Sequence, residues 1–142
     1  MALYDAAVRT TNTTISNASV ELRSAATNKP RVMEWGFAQV TGTASSHGFG
    51  RPAAIGVTPG GTASLTPQEN SDPASLSVTA LSWATSPTAP TVYSRRYNTP
   101  ATVGAGAIWI WPAGYGMAVS SSVVQFNVTA TVACDVWLTC DE

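Results

Sequence analysis

The stretch Ser122-Val123-Val124-Gln125-Phe126-Asn127-Val128, with Ala130-Thr131-Val132-Ala133-Cys134-Asp135-Val136-Trp137-Leu138-Thr139-Cys140 close behind it, alternates apolar and polar residues with a period of two. Successive strand side chains point to opposite faces, so the pattern predicts two β-strands and no helix. In the first, Val124, Phe126 and Val128 are expected inward, with Gln125 and Asn127 outward. In the second, Val132, Cys134, Val136 and Leu138 oppose Asp135 and Thr139.

The same period recurs toward the N-terminus. Residues 19–23 set Val20 and Leu22 against Glu21 and Arg23, and residues 31–40 put Met33, Trp35 and Phe37 on one face. Shorter strands are expected at 53–58, 91–97 and 107–111, and one at 75–84 with a bend near Ala80. Pro59-Gly60-Gly61 is a turn signal, and residues 42–52 and 59–74 read as long Gly-, Ser- and Pro-rich loops. Eight or so antiparallel strands separated by turns predict an all-β, single-domain β-sandwich over residues 19–142, with a two-sheet jelly roll as the preferred version. Residues 1–18, in which Thr10-Thr11-Asn12-Thr13-Thr14-Ile15-Ser16-Asn17 is polar, β-branched and short of apolar anchors, are expected as an extended N-terminal arm.

Composition narrows the function. The chain has 142 residues, 44% hydrophobic and 11% charged, with a net charge of -1. That balance offers no broad attraction for nucleic acid or an anionic membrane, so neither is expected as a partner. Solubility rests on hydroxyls, from 19 Thr and 15 Ser, more than on charge. No apolar run reaches the length of about 20 residues that a spanning helix needs. Met1-Ala2-Leu3-Tyr4-Asp5 lacks the basic region of a secretory signal, so assembly in a cytoplasm is expected and the three Asn-x-Ser/Thr matches are read as chance.

No catalytic set, cofactor or metal is expected. Cys134 and Cys140 on one straight strand would stand roughly 20 Å apart, too far for a disulfide, and are read as reduced thiols. His47 is the only histidine and is expected in a solvent-facing loop, without a nucleophile or carboxylate placed beside it. Gly48-Phe49-Gly50-Arg51-Pro52-Ala53 fits G-x-G-x-x-A but leads toward a strand, where a dinucleotide site needs a helix. Glu34 is expected to pair with a neighbouring Arg. An acid, base and nucleophile set is missing, and an enzyme is not expected.

The interaction signal lies in Ala107-Ile108-Trp109-Ile110-Trp111, apolar on both faces. One face must fill the core, and the other needs a cover, either a long loop or a second subunit. Arg95 and Arg96 are adjacent and so point to opposite faces. One of them, with Tyr93 and Tyr97 as apolar company, is available for a partner contact. Trp109, Trp111, Tyr93, Tyr97, Arg95 and Arg96 are therefore the expected subunit-interface residues of a homo-oligomer.

Several stretches resemble the head decoration (cement) proteins of tailed bacteriophages. They are Gly48-Phe49-Gly50-Arg51-Pro52-Ala53-Ala54-Ile55-Gly56-Val57-Thr58-Pro59, Trp83-Ala84-Thr85-Ser86-Pro87, Arg95-Arg96, Gly104-Ala105-Gly106-Ala107-Ile108-Trp109, Ser120-Ser121-Ser122 and Asp135-Val136-Trp137. Together they cover about residues 30–142. The resemblance implies a jelly-roll domain that forms a homotrimer on the exterior of the capsid. There it would bridge major capsid protein subunits and stabilise the mature shell. The arm, with Leu3, Tyr4, Arg9, Thr13 and Ile15, would then add capsid contacts. The rival expectation is a trimeric tail-fibre or receptor-binding module that holds a host surface glycan through Tyr115, Phe49, Asn70 and Asp72.

Overall fold

A computed structural model describes residues 2–10, 18–24, 29–57, 59–72, 78–83, 87–129 and 132–142. The described residues form twelve strands and no helix. The strands are β1 (Leu3–Arg9), β2 (Ala18–Ser24), β3 (Arg31–Gln39), β4 (Ser45–Gly50), β5 (Gly61–Thr62) and β6 (Leu65–Pro67), then β7 (Val78–Ser82), β8 (Arg95–Thr99), β9 (Gly106–Ile110), β10 (Met117–Ala118), β11 (Ser122–Asn127) and β12 (Cys134–Asp141). They make two antiparallel sheets of six strands, a β-sandwich. The first runs β6-β1-β12-β3, with β9 and β10 both lying along the far edge of β3. The second runs β5-β7-β2-β11-β4-β8.

The main core fills the space between the sheets. Tyr4, Ala6, Trp35, Phe37, Val136 and Leu138 enter from the first sheet, and Val20, Leu22, Phe49 and Val123 from the second. A smaller core covers the opposite face of the second sheet. There Val124 and Phe126 of β11 pack with Ala18, Leu81 and Trp83, and Ala89 and Tyr93 close over them. Trp83, Ala89 and Tyr93, between β7 and β8, thus cover a sheet face that would otherwise meet water.

This second core corrects the expected facing of β11. Val124 and Phe126 pack on the smaller core, while Gln125 and Asn127 face the space between the sheets with no exposure. Strict alternation fixes which residues share a face. It cannot fix which face meets the main core when both are covered.

Three other expectations change. Ser45–Gly50 is the buried strand β4, not loop, and places His47 and Phe49 in the interior. Its glycine is required by packing: a Cβ on Gly48 would stand 2.4 Å from Cδ1 of Tyr93. Residues 53–57 form no strand beyond an isolated bridge between Ala54 and Thr88. β7 pairs with β2 without a break near Ala80, and the register shifts fall instead in β11 and at Thr139/Cys140 of β12.

The N-terminal expectation also changes. Leu3–Arg9 is a strand held between β12 and β6, not an arm, and Tyr4 and Ala6 are core residues. The first sheet therefore takes in Leu3–Arg9, which the expectation had placed in the arm. The remainder of the expected arm, with Thr13 and Ile15, lies outside the described residues.

Candidate functional site

Among the described residues β8 pairs only with β4, and β9 makes its strand ladder only with β3. Both present an unpaired edge, and the two edges lie on one side of the sandwich. In the register of β9, Trp109 stands opposite Trp35 and Ala107 opposite Phe37, so these side chains share the core face. Ile108 and Ile110, opposite Gly36 and Glu34, share the outer face.

Burial follows this alternation. Trp111 is buried and packs on Phe49 at 5.9 Å between ring centroids. Trp109 is 37% exposed at the margin, while Ile108 and Ile110 are 60% and 67% exposed. The tryptophans fill the core side, and the isoleucines form the uncovered strip. Val103 and Tyr115, in the turns that enter and leave β9, are exposed as well.

Arg95 closes the gap between the two margins. Its guanidinium carbon lies 4.9 Å from the Trp109 ring centroid and 5.5 Å from that of Trp111. Tyr97 stands beside it on β8, 40% exposed and edge-on to Phe37 at 6.1 Å. Arg96 points to the opposite face and is exposed. Tyr93 belongs elsewhere, packed edge-on against Phe126 in the smaller core. Of the six expected interface residues, Arg95, Trp109, Trp111 and Tyr97 come together. Arg96 and Tyr93 do not join them.

The outer face of the first sheet continues inward from the isoleucines. One cross-strand row runs Ala7, Trp137, Gly36, Ile108, and the row beside it Arg9, Asp135, Ala38, Gly106. Small residues thus surround one indole. Trp137 lies directly against Gly36, where a Cβ would stand 2.1 Å from Cε2 and Cζ2, and its Nε1 donates to Glu34 Oε1 at 2.7 Å. Glu34 accordingly holds an indole, not the expected Arg.

Two shallow depressions flank Trp137. One, of about 240 Å³, is lined by Ala7, Val8, Arg9, Asp135, Val136 and Trp137. The other, of about 420 Å³, lies toward Gly106 and Ile108. At the first, Arg9 Nε and Nη2 donate to Asp135 Oδ1 and Oδ2 at 2.7 and 2.8 Å. The pair raises the Arg9 pKa and lowers that of Asp135 through this hydrogen bonding.

A second polar cluster is sealed between the sheets. His47 stacks on Phe37 at 4.1 Å, and its Nδ1 lies 3.3 Å from Gln125 Nε2 and 4.0 Å from Cys134 Sγ. Burial pushes the His47 pKa down to about 4, against a weaker opposite pull from Asn127. Burial pushes the Cys134 and Cys140 thiols up to about 12, and both are free. Although a Cys beside a His is the composition of a nucleophile and its base, here the thiol stays neutral and enclosed. Among the described residues no three His, Cys, Asp or Glu side chains gather as a metal site would require, and no helix is long and apolar enough to cross a membrane.

The remaining expected contact residues separate in the same way. Tyr4 is 3% exposed and belongs to the core, while Leu3 is half-buried and Arg9 is tied to Asp135. For the glycan reading, Tyr115 is exposed but Phe49 is fully buried and offers no stacking platform. Sequence reasoning missed Trp137 as part of the outer face. The signal available was its position in β12, two residues from Asp135 and out of phase with Val136 and Leu138. Set against protein families, curated proteins and solved structures, the chain matches none.

Proposed function

We propose that this chain is a structural virion protein: a decoration (cement) protein of jelly-roll type that forms a homotrimer on the outside of a phage head. There it bridges major capsid protein subunits and stabilises the mature shell. The jelly-roll version is supported by the strand order, in which β1-β12-β3-β9 faces β2-β11-β4-β8, the remaining short strands being additions at the margins. The observation that carries the functional reading is the strip of Ile108 and Ile110 on an unpaired edge strand, more than half exposed beside a face of small residues and one indole. An edge strand with apolar side chains is an aggregation hazard unless something covers it, and a permanent neighbour removes the hazard.

A decoration protein works by mass action. Whatever binds the expanded lattice and not its precursor stabilises the expanded one, and three linked subunits multiply weak contacts. The test is to add purified chain to undecorated expanded heads, then measure occupancy and the temperature at which the heads release DNA. Saturable binding at shell positions with a higher release temperature is expected. No binding to heads, or binding to host-cell glycan in its place, contradicts the reading.

A further inference from the structure

We infer that the outer face of the first sheet holds a neutral saccharide, which rests against Trp137 and offers its hydroxyls to the Arg9–Asp135 pair. This goes beyond the decoration reading and needs only one chain, so either can fail without the other.

The indole of Trp137 stands where packing alone gains it little. It is half-buried on an open sheet face, and its neighbours across the strands are only Ala7 and Gly36. Its ring occupies the space where a Gly36 side chain would stand. Gly36 lies inside β3 and is paired on both sides, a position where a glycine weakens the strand and often marks a close approach by a ligand. The Nε1 of Trp137 donates to Glu34 Oε1 at 2.7 Å, which fixes the ring before anything binds. The ring lines both shallow depressions and so divides them. The larger, about 420 Å³, falls within the range of about 300–1,000 Å³ usual for small-ligand sites, and the smaller, about 240 Å³, falls just below it.

The surroundings select the ligand class. One flanking row carries Arg9 and Asp135, and the other carries Asp5, Thr139 and Glu34. Arg9 and Asp135 are 66% and 44% exposed, so the pair is open to a ligand. Arg9 uses Nε and Nη2 on Asp135, and among the described residues its Nη1 makes no hydrogen bond, nor does Oε2 of Glu34. A free donor and a free acceptor beside an aromatic ring suit a sugar, whose C–H groups meet the negative ring face while its hydroxyls both donate and accept. Asp5, Glu34 and Asp135 against Arg9 alone repel phosphate, sulfate and uronate groups. A broad apolar partner would have to strip water from these same charges. With a hollow on each side of the indole, the ligand spans at least two sugar units.

The test is a titration of the intact chain with neutral oligosaccharides built on glucose, galactose, mannose, rhamnose and N-acetylglucosamine, with heparin as the anionic comparison. Probes at up to about 10 mM reveal binding as weak as millimolar. The readout is the Trp137 indole N–H resonance, assigned by its loss in Trp137→Phe. At least one neutral probe is expected to shift that resonance saturably, and its disaccharide to bind more tightly than its monosaccharide. Trp137→Ala is expected to weaken binding about tenfold or more. Arg9→Ala alters only an exposed side chain, keeps the test open if Trp137→Ala fails to fold, and is expected to weaken binding about tenfold. Tyr115→Ala removes an exposed aromatic elsewhere and is expected to change nothing. A resonance that no neutral probe moves, binding of heparin alone, or binding that survives both Trp137→Ala and Arg9→Ala would overturn the inference. Head binding is scored separately: a chain that binds saccharide but not heads sinks the decoration reading alone, and the reverse result sinks the saccharide face alone.

Discussion

The guanidinium of Arg95 lies over Trp109 at 4.9 Å and beside Trp111 at 5.5 Å, joining the margin of one sheet to that of the other. Arg95 comes from β8 and the indoles from β9 and the residue after it, so one side chain ties the open side of the sandwich. Cation–π contacts contribute about 0.5–2 kcal/mol depending on desolvation. Arg95→Ala is expected to lower unfolding free energy by about 1–2 kcal/mol in urea titration and to weaken the near-ultraviolet tryptophan signal. A variant as stable as the parent would show that the brace contributes nothing.

Gly36 carries the outer-face indole. A methyl group there would stand 2.1 Å from Trp137 ring atoms, so the ring and its hydrogen bond to Glu34 must move. Gly36→Ala is expected to cost about 1–3 kcal/mol, as overpacking does. Gly42→Ala is the control, because its Cβ would meet nothing closer than 3.6 Å. That substitution is expected to stay within about 0.5 kcal/mol of the parent.

His47 gives the domain an acid limit. Its folded pKa of about 4 lies below the ordinary value of 6.5, so the unfolded chain binds the extra proton between these two pH values. Stability from this group is therefore full above pH 6.5 and falls as the pH drops toward 4, by about 1.4 kcal/mol per unit and about 3 kcal/mol in all. His47→Gln is expected to flatten the unfolding free energy across that window. An unchanged slope in the variant would assign the acid sensitivity to other groups.

The two thiols report on the sealed interior. With pKa values pushed up to about 12 by burial, Cys134 and Cys140 are expected to ignore a disulfide reagent at pH 8 in the native protein. In guanidinium both should react. Rapid native reaction of either would mean that the interior between the sheets opens readily.

Much of the fold was legible because strand period is a local signal. β2, β3, β11 and β12 announce themselves through alternation and β9 through an unbroken apolar run, and Trp35, Phe37, Val136 and Leu138 fall on the core face as expected. β4 did not, since Ser45-Ser46-His47-Gly48-Phe49-Gly50 has few β-formers. Its strand is imposed by β11 on one side and β8 on the other. The facing of β11 was illegible for a related reason: the cover supplied by Trp83, Ala89 and Tyr93 is a tertiary fact. At the candidate site, the two-faced apolar character of β9 could be read directly. Which face stayed wet could not, because that depends on Trp35 and Glu34 across the ladder. The phase of Trp137, opposite to Val136 and Leu138, put it on the outer face, but its seat on Gly36 is a tertiary contact that the sequence does not carry.

The central claim is that a sister copy covers Ile108 and Ile110. Light scattering of the purified chain at micromolar concentration tests it most directly, with the Ile108→Asp, Ile110→Asp double variant run alongside. The account predicts the mass of three chains for the parent and of one chain for the variant, with thermal unfolding showing the variant folded. A parent that stays a stable single chain would contradict it.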